Sequence, residues 1–493
     1  MHSTFISFMS RELGITVKKH ENFSEWFSQV VFKANLADIR YGIQGFIVHR
    51  EWGTRILRKI YELLEEEVEK DGHDPVLFPI AIPEKFFEKE KEHAEGFSPE
   101  VFWVTRAGDN ELNEPFALRP TSETAFYSMY SLWIRSYRDL PFKKYQSRIC
   151  VYRYESHTRP FLRGREFLFF ETHCAFKNEE EAMEQVKRDM EIMKRVAWEK
   201  LFIPFLFLKR PYWDKFAGAE STFAADSAMP DGKISQIGTT HYLGTKFSRA
   251  FNVKYRDKDG KEKYCHITCF GPGIWRLMAS VVAIHGDDNG LILPSSIAPY
   301  KCVIVPIYYG NEEEIDRRCV EVKKLLEEND ISCIFDDRKE ETPGFKFNHW
   351  ELLGVPLRIE IGPRDVENNT CVLVRRADRG KRVVSVENLV EEVKREIERN
   401  DEVIKERATR YHVVRSAKTL EEVESLAKQG GFIRAPFCSI DEDGEKCAEI
   451  LQERTGLKVR GVLIDKEEKP EEGDRCIVCG RKANVIVYLA KAY

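Results

Sequence analysis

Apolar residues recur at helical spacing through WGTRILRKIYELLEEEVEKDG, at Ile56, Ile60, Leu63 and Leu64. The pattern stops at Gly72, so a long amphipathic helix is predicted there. Before it, the text from Phe23 to Gly53 reads as a helix, a turn and a strand. After it, DPVLFPIAIPE is a short apolar run whose Pro79 and Pro83 suit a sheet edge or an interface. Residues 101–118 alternate apolar and polar about a turn at Ala107 to Asn110, which predicts a strand pair. A helix is expected over TAFYSMYSLWIRSY, then strands carrying RICVYRYE and REFLFFETH. The amphipathic helix KNEEEAMEQVKRDMEIMKRVAWEKLFIP follows, with acids in its first turn, where the helix dipole favours them. Short strands with turns at DG and KDG lead to CFGPG and a helix beginning near Trp275. Strands grouped this way, with helices around them, imply an α+β fold with a mostly antiparallel sheet.

Beyond LILPSSIAPY at 291–300 the pattern changes. The short apolar strands KCVIVPIYY, ISCIFDD, VPLRIEIG and TCVLVRR are separated by the helical NEEEIDRRCVEVKKLLEEND and PGFKFNHWELLG, which predicts a small α/β domain with a largely parallel or mixed sheet. A helix leaves it near residue 385. The expected organisation is therefore three domains, 1–290, 291–395 and 396–493. The chain shows no internal repeat.

Composition changes this picture little. Of the 493 residues, 42% are hydrophobic and 32% charged, as in an ordinary globular protein. A net charge of −5 argues against indiscriminate coating of nucleic acid, although a local basic face can still meet phosphates. The opening MHSTFISFMSRELGITVKKH is broken by Ser and followed by charges, so neither a secretory signal nor a membrane span is expected, and a cytoplasmic protein is. Eight of the twelve cysteines stand singly among apolar or strand-like neighbours, as reduced core thiols do.

Several stretches carry charge or polarity where burial would make it costly. In RPTSE, Thr121, Ser122 and Glu123 stand at a helix start, where a hydroxyl can cap and Glu123 can complement the dipole; a substrate contact is the alternative. In YRYE, a strand would put Arg153 and Glu155 on one face, with Arg165, Glu166 and Glu171 a hairpin's length away. A guanidinium beside carboxylates can grip phosphate while the acids take an amine or a base edge. A cross-strand ion pair on a solvated face is the other reading, against which the aromatic neighbours Tyr152, Tyr154, Phe167, Phe169 and Phe170 argue. In CFGPGIWRL the glycines allow close backbone approach, and Arg276 falls in a first helical turn, which is unfavourable to the dipole without an anionic partner. In QIGTTHYLG, Gln236, Thr239 and His241 are polar within a strand and loop, as members of a core network or of a site. Cys438, Cys447, Cys476 and Cys479 supply the four thiols of a closed tetrahedral zinc site, although the first pair is widely spaced and a redox or surface CxxC is the alternative.

In their order and spacing, ALRPTSE, RYE with HTRPFLRGREF, ETH, QIGTTHYLG and GPGIWRLMASVVAIHGDDNGLILP resemble prolyl-tRNA synthetases of the archaeal and eukaryotic-like type, and the likeness covers nearly the whole chain. KFNHWELLGVPLRIEIGPRD resembles that family's anticodon-binding domain, and CIVCG with the terminal KAY its C-terminal zinc domain. The resemblance implies a class II synthetase antiparallel-sheet catalytic domain, followed by an α/β anticodon-binding domain and a small α/β C-terminal zinc domain. It implies a homodimer built on the first long helix and the strand carrying Pro79. It also implies activation of L-proline with ATP and Mg2+, transfer to tRNA(Pro), and a structural Zn2+ on the four cysteines. Arg153 would bind the ATP α-phosphate and the proline carboxylate, and Arg276 the γ-phosphate side. Glu155, Arg163 and Gly164 would contact ATP, Phe167 would stack on adenine, and Gln236 and Thr239 would meet the nucleotide. Thr121 and Glu123 would receive the prolyl amine, and His241, with His173 and Glu171, would line the proline pocket.

The chain departs from its relatives at Ile274 and Trp275, since they commonly carry a hydroxyl residue two before the arginine matching Arg276. Fewer than a hundred residues separate ETH from CFGPG, and nothing there resembles the bacterial-type editing insertion, so no cis-editing of mischarged alanine is expected. A threonine enzyme would need a Cys and two His at its motif positions, and that arrangement is not found. A non-enzymatic relative would be expected to lose a motif arginine, and both are kept. Arg375, Arg376, Arg379, Lys381 and Arg382 form a basic run on a hairpin, either a tRNA contact or a solvated turn.

Overall fold

A computed structural model describes residues 14–86, 100–309 and 311–493; most of the apolar opening of the chain, residues 1–13, lies outside them. The predicted long helix is α1, Glu51–Lys70, which buries Ile56, Ile60, Leu64 and Val68 on one face and gives way to left-handed Gly72. It is followed by α2 (Glu123–Trp133), β1 (Phe142–Tyr152), β2 (Glu166–Phe176), α3 (Glu179–Lys194), β3 (Leu206–Lys209), β4 (Ser221–Ala228), β5 (Ile234–Gly244), β6 (His266–Pro272) and α4 (Ile274–His285). The strands lie in the order β3-β4-β5-β6-β2-β1, every neighbouring pair antiparallel, with Asp74–Pro75 as a short parallel edge beyond β1. Helix α3 packs behind the sheet, where Thr240 donates to its buried Asp189 at 2.8 Å. It ends in a π-helical turn, Arg195–Lys200, which a 3.6-residue period does not foretell.

The second sheet consists of β7 (Cys302–Pro306), β8 (Cys333–Phe335), β9 (Leu357–Ile361), β10 (Thr370–Arg375) and β11 (Lys381–Ser385), in the order β8-β7-β9-β10-β11. It is parallel across β8-β7-β9 and antiparallel beyond, as the alternating pattern leads one to expect. Trp52 of α1 donates to the Leu353 carbonyl at 2.9 Å, and Arg376 grips Asp287 with two bonds of 2.8 and 2.6 Å. These contacts fasten this unit to the first one. The basic run is spent on such pairs: Arg375 meets Asp378 and Glu396, Arg379 meets Glu351, Lys381 meets Glu360 and Arg382 meets Glu392.

The last four strands, β12 (Val414–Ser416), β13 (Phe432–Phe437), β14 (Lys458–Leu463) and β15 (Val485–Ala490), run in the order β12-β13-β15-β14. Val462 of β14 pairs with Lys209 of β3, so this sheet continues directly into the first one and, with the Asp74–Pro75 edge, the two make eleven strands.

Candidate active site

Strand register assembles the site. Thr222 on β4 stands opposite His241 on β5, His241 opposite Cys269 on β6, and Cys269 opposite His173 on β2. The row crosses four strands spaced about 5 Å apart, and because alternate residues share a face, Glu171 and Thr239 extend it one step along. The face lines a cavity of about 670 Å³ that gathers all thirteen residues expected to bind proline or ATP.

One end of the cavity is closed. Ser122 occupies the N-cap position of α2, but its hydroxyl accepts from Gln146 Nε2 at 2.8 Å and caps nothing; Thr121 donates its hydroxyl to Glu123 Oε2. The capping reading of RPTSE therefore fails, because both hydroxyls are drawn into a buried network. Burial holds the Glu123 carboxyl above the usual carboxylate range, against the charge of His173. Burial pushes the Glu171 carboxyl up as well, but the hydrogen bond and charge of His173 (Nε2 at 3.0 Å), with Ser122 and Gln146 (Nε2 at 2.7 Å), outweigh it and leave Glu171 below the usual range. The Tyr127 hydroxyl meets His173 Nδ1 at 2.9 Å. His241 lies between Thr222 Oγ1 at 2.9 Å and Thr239 Oγ1 at 3.1 Å, with the Phe216 ring 4.9 Å away. Burial first, then the charges of His173 and Arg210, bring its pKa down to about 3, so the ring is neutral at pH 7.

The other end is open and cationic. Strand β1 stops at Tyr152, so Arg153 and Glu155 project from the loop beyond it and not from a strand; the Arg153 amide still donates to the Arg165 carbonyl at 2.9 Å. Arg153 is exposed, and its guanidinium makes no hydrogen bond or ion pair among the described residues. Arg163 bonds Glu155 Oε2 at 3.1 Å and the Tyr493 backbone oxygen at 2.9 Å. Gly164 lies under the Trp275 ring, where a Cβ would come within 2.5 Å of it. Phe167 meets Phe169 edge to face and Trp275 at a tilt, and neither ring stacks flat on it. Arg276 donates to the Gln236 carbonyl at 3.1 Å; burial, with the charges of Arg163 and Arg460, pulls its pKa to about 10, which keeps it a cation at pH 7. Ile274 is fully buried in the cavity wall and offers no hydroxyl.

Sequence reading missed Arg210, Phe216 and Thr222. Arg210 donates to Gln236 Oε1 at 2.8 Å and grips the buried Asp226 at 2.9 and 2.7 Å; Arg460, from the third unit, holds the same carboxylate at 2.8 Å. Burial pushes Asp226 up, and the two guanidiniums outweigh it and hold the carboxylate near 2. A charged residue ending the apolar run FLFLKR was the one available signal, and its partner Arg460 lies 250 residues away.

The Sγ atoms of Cys438, Cys447, Cys476 and Cys479 lie within 4.8 Å of one another, close to the separation of about 3.8 Å that tetrahedral Zn–S bonds of about 2.3 Å require. Among the described residues no other group of three or more His, Cys, Asp or Glu side chains is gathered in this way, the Cys269 row included.

The antiparallel sheet with this cavity on one face is that of a class II aminoacyl-tRNA synthetase, since the family described as tRNA synthetase class II core domain (G, H, P, S and T) matches residues 102–285. The anticodon binding domain matches 301–396, and the family described as Prolyl-tRNA synthetase, C-terminal, matches 420–493. The chain is 54% identical to a Proline--tRNA ligase of Thermofilum pendens over 98% of its own length and 100% of the relative's, and 44% identical to that of Pyrococcus horikoshii over 96% and 98%. The Giardia lamblia prolyl-tRNA synthetase solved with prolyl-adenylate superposes with a TM-score of 0.92 at 34% identity, covering 97% of this chain and 100% of that one. The Cryptosporidium parvum enzyme solved with halofuginone and AMPPNP gives 0.92 at 33%, covering 98% and 100%. The chain belongs to the prolyl-tRNA synthetase family.

Proposed function

We propose that the closed end of the cavity seats L-proline and the open end ATP, with Arg153 joining the two. The chain is an ATP-dependent proline–tRNA ligase: it activates L-proline to prolyl-adenylate and transfers the prolyl group to the 3′ end of tRNA(Pro). The observation that carries the assignment of the two ends is an exposed Arg153 guanidinium, without a partner among the described residues, in the same cavity as the buried and hydrogen-bonded carboxylates of Glu123 and Glu171.

In this reading Thr121 and Glu123, backed by Glu171 and His173, take the prolyl ammonium, and neutral His241 closes the ring pocket without repelling it. Arg153 holds the proline carboxylate against the α-phosphorus. A carboxylate oxygen forms a bond to that phosphorus, the bond to the bridging oxygen breaks, and pyrophosphate leaves. Arg153 and Arg276 neutralise the charge spread over the phosphoryl oxygens, so positioning and electrostatics carry the rate. Gly164 admits ATP close to the backbone, the free face of Phe167 takes the adenine, and Gln236 and Thr239 face the nucleotide. The terminal ribose hydroxyl of tRNA then attacks the prolyl carbonyl and AMP departs. Mg2+ travelling with ATP fits the Glu155 end, since one carboxylate plus phosphate oxygens is its usual ligand set, and it would add to charge neutralisation there.

The described residues between β2 and β6 are taken up by α3, β3 to β5 and a short hairpin at 254–264, with no separate editing unit. Discrimination against alanine therefore rests on pocket fit, about 1 to 3 kcal/mol per methylene-sized difference. Pyrophosphate exchange tests the whole reading: proline is expected to support it strongly, alanine and cysteine weakly. Exchange with threonine and none with proline would overturn it.

Zinc on the four cysteines is proposed as a structural ion, and Cys476→Ser should lower bound metal; equal metal in both proteins would remove these thiols as ligands. A homodimer is proposed from the apolar side chains left open just after the short edge strand Asp74–Pro75, Leu77 being 79% and Ile80 40% exposed. Sedimentation at monomer mass would refute it. No helix among the described residues is long and apolar enough to cross a membrane, and a cytoplasmic location is proposed, to be checked by fractionation. The divisions 1–290, 291–395 and 396–493 are retained as proposed domains; limited proteolysis that cuts elsewhere would move them.

A further inference from the structure

A second cleft, of about 470 Å³, opens where the turn joining β4 to β5 meets the segments around Arg410 and Lys428. Its lining sets five cations, Lys233, Arg410, Arg415, Lys428 and Lys491, against the single carboxylate of Asp231. That carboxylate is already engaged: the Tyr493 hydroxyl donates to it at 2.7 Å and Lys233 Nζ stands 3.6 Å away. Arg415 donates to the Gly430 carbonyl at 2.8 Å. Arg410, Lys428 and Lys491 are exposed and make no ion pair among the described residues. The contrast is with the basic run at 375–382, where each arginine and lysine has a carboxylate within 4 Å. Like charges converging without counter-charge repel one another, and an anion seated among them relieves that repulsion.

The walls of the cleft are fixed. Gly232 and Gly430 abut so closely that a Cβ on Gly232 would meet the Gly430 Cα at 2.9 Å, and the Gly431 amide donates to the Gly232 carbonyl at 2.9 Å. The cleft is also joined to the reaction cavity, since β5 leads from Lys233 at the cleft to Gln236 in the cavity. Three strand residues cover about 10 Å, about the length of three phosphates along one strand of a duplex. Tyr493 links the same two places, its hydroxyl on Asp231 and its backbone oxygen on Arg163.

We propose that this cleft binds the phosphodiester backbone of the tRNA arm that ends in the reactive nucleotide, an inference that rests on the tRNA-ligase reading above. Lysines and arginines meeting phosphates set position and carry no base information, so the cleft would hold the arm in register while the cavity supplies the chemistry. The full-length variant R410E/K428E tests it. Affinity for tRNA is expected to fall about tenfold or more, and the slope of log affinity against log salt to shrink by about two. Proline-dependent pyrophosphate exchange without tRNA should stay unchanged, which also reports on folding. R410A/K428A should show the same loss in milder form if the reversal disturbs the fold. Unchanged tRNA affinity and salt slope in both variants would overturn the proposal. So would protection of Lys428 from amine modification by inorganic phosphate and not by tRNA, which would make the ligand a free anion. Wild-type protein that shows no proline-dependent exchange would instead count against the functional reading, leaving the tRNA-affinity comparison to stand by itself.

Discussion

The two ends of the cavity hold charge in opposite ways. At the closed end Glu123, Glu171, His173 and His241 are buried and each has a protein partner; at the open end Arg153 is exposed and its guanidinium has none among the described residues. A small ammonium group that must shed its water needs acceptors already in place, since reorganising them at the moment of binding would cost what the pairing gains. In the proposed reading phosphates meet the water-exposed Arg153, while Arg276, bonded to the Gln236 carbonyl, lies more deeply buried in the same wall.

The largest test of this contrast is Arg153→Ala. With no neighbour to inherit its role, proline-dependent exchange should fall on the order of 10³-fold or more, and an unchanged rate would refute the assignment. Glu123→Gln probes the closed end: KM for proline should rise on the order of 10- to 100-fold, as for loss of a charge-assisted bond, with KM for ATP little changed. An equal rise in both constants would mean the two ends are not distinct.

Burial also predicts a response to acid. His241 is held down to about 3, and His49, His73 and His285 to about 4, first by desolvation in each case. Their folded values lie below the unfolded value of about 6.5. The unfolded chain therefore binds more protons between about pH 6.5 and 4, and stability is lost as pH falls through that window. The loss should be on the order of 2 kcal/mol per histidine by pH 4.5. Asp189, raised to about 7 by burial, works the other way and offsets part of it. Urea unfolding at pH 7, 5.5 and 4.5 measures the net effect, and His241→Asn should flatten the slope; an identical slope would mean that His241 titrates normally. The smallest expected effect is at the open end, where Gly164→Ala must displace the Trp275 ring and should raise KM for ATP about tenfold, with KM for proline kept. No change would show that the ring yields freely.

Much of the fold was readable from periodicity. The α1 stripe, the Gly72 stop and the strands alternating with helices beyond residue 300 are local patterns, and local patterns are what hydrophobic spacing records. The site was readable as charged and polar residue types out of place among apolar and aromatic neighbours, on strands, loops and helix starts alike, and all thirteen candidates line one cavity. What went astray depended on partners distant in sequence. Ser122 looked like a cap until Gln146, 24 residues on, claimed its hydroxyl, and the basic run at 375–382, readable as a tRNA contact or a solvated turn, carries ion pairs to Asp287, Glu351 and Glu396 that local sequence does not show.

The sequence by itself therefore determined most of the elements, the candidate residues of the cavity and the family likeness, because helix period, strand alternation and motif order are properties of the chain. Only the tertiary structure decided which charges are spent and which remain available. Register set Thr222, His241, Cys269 and His173 side by side, the seam of β3 and β14 brought Arg460 to Asp226, and folding left Arg153 and, in the cleft, Arg410, Lys428 and Lys491 without an ion-pair partner among the described residues. A charge is neutralised by whatever lies within a few ångströms, and that distance is fixed by packing and not by sequence separation.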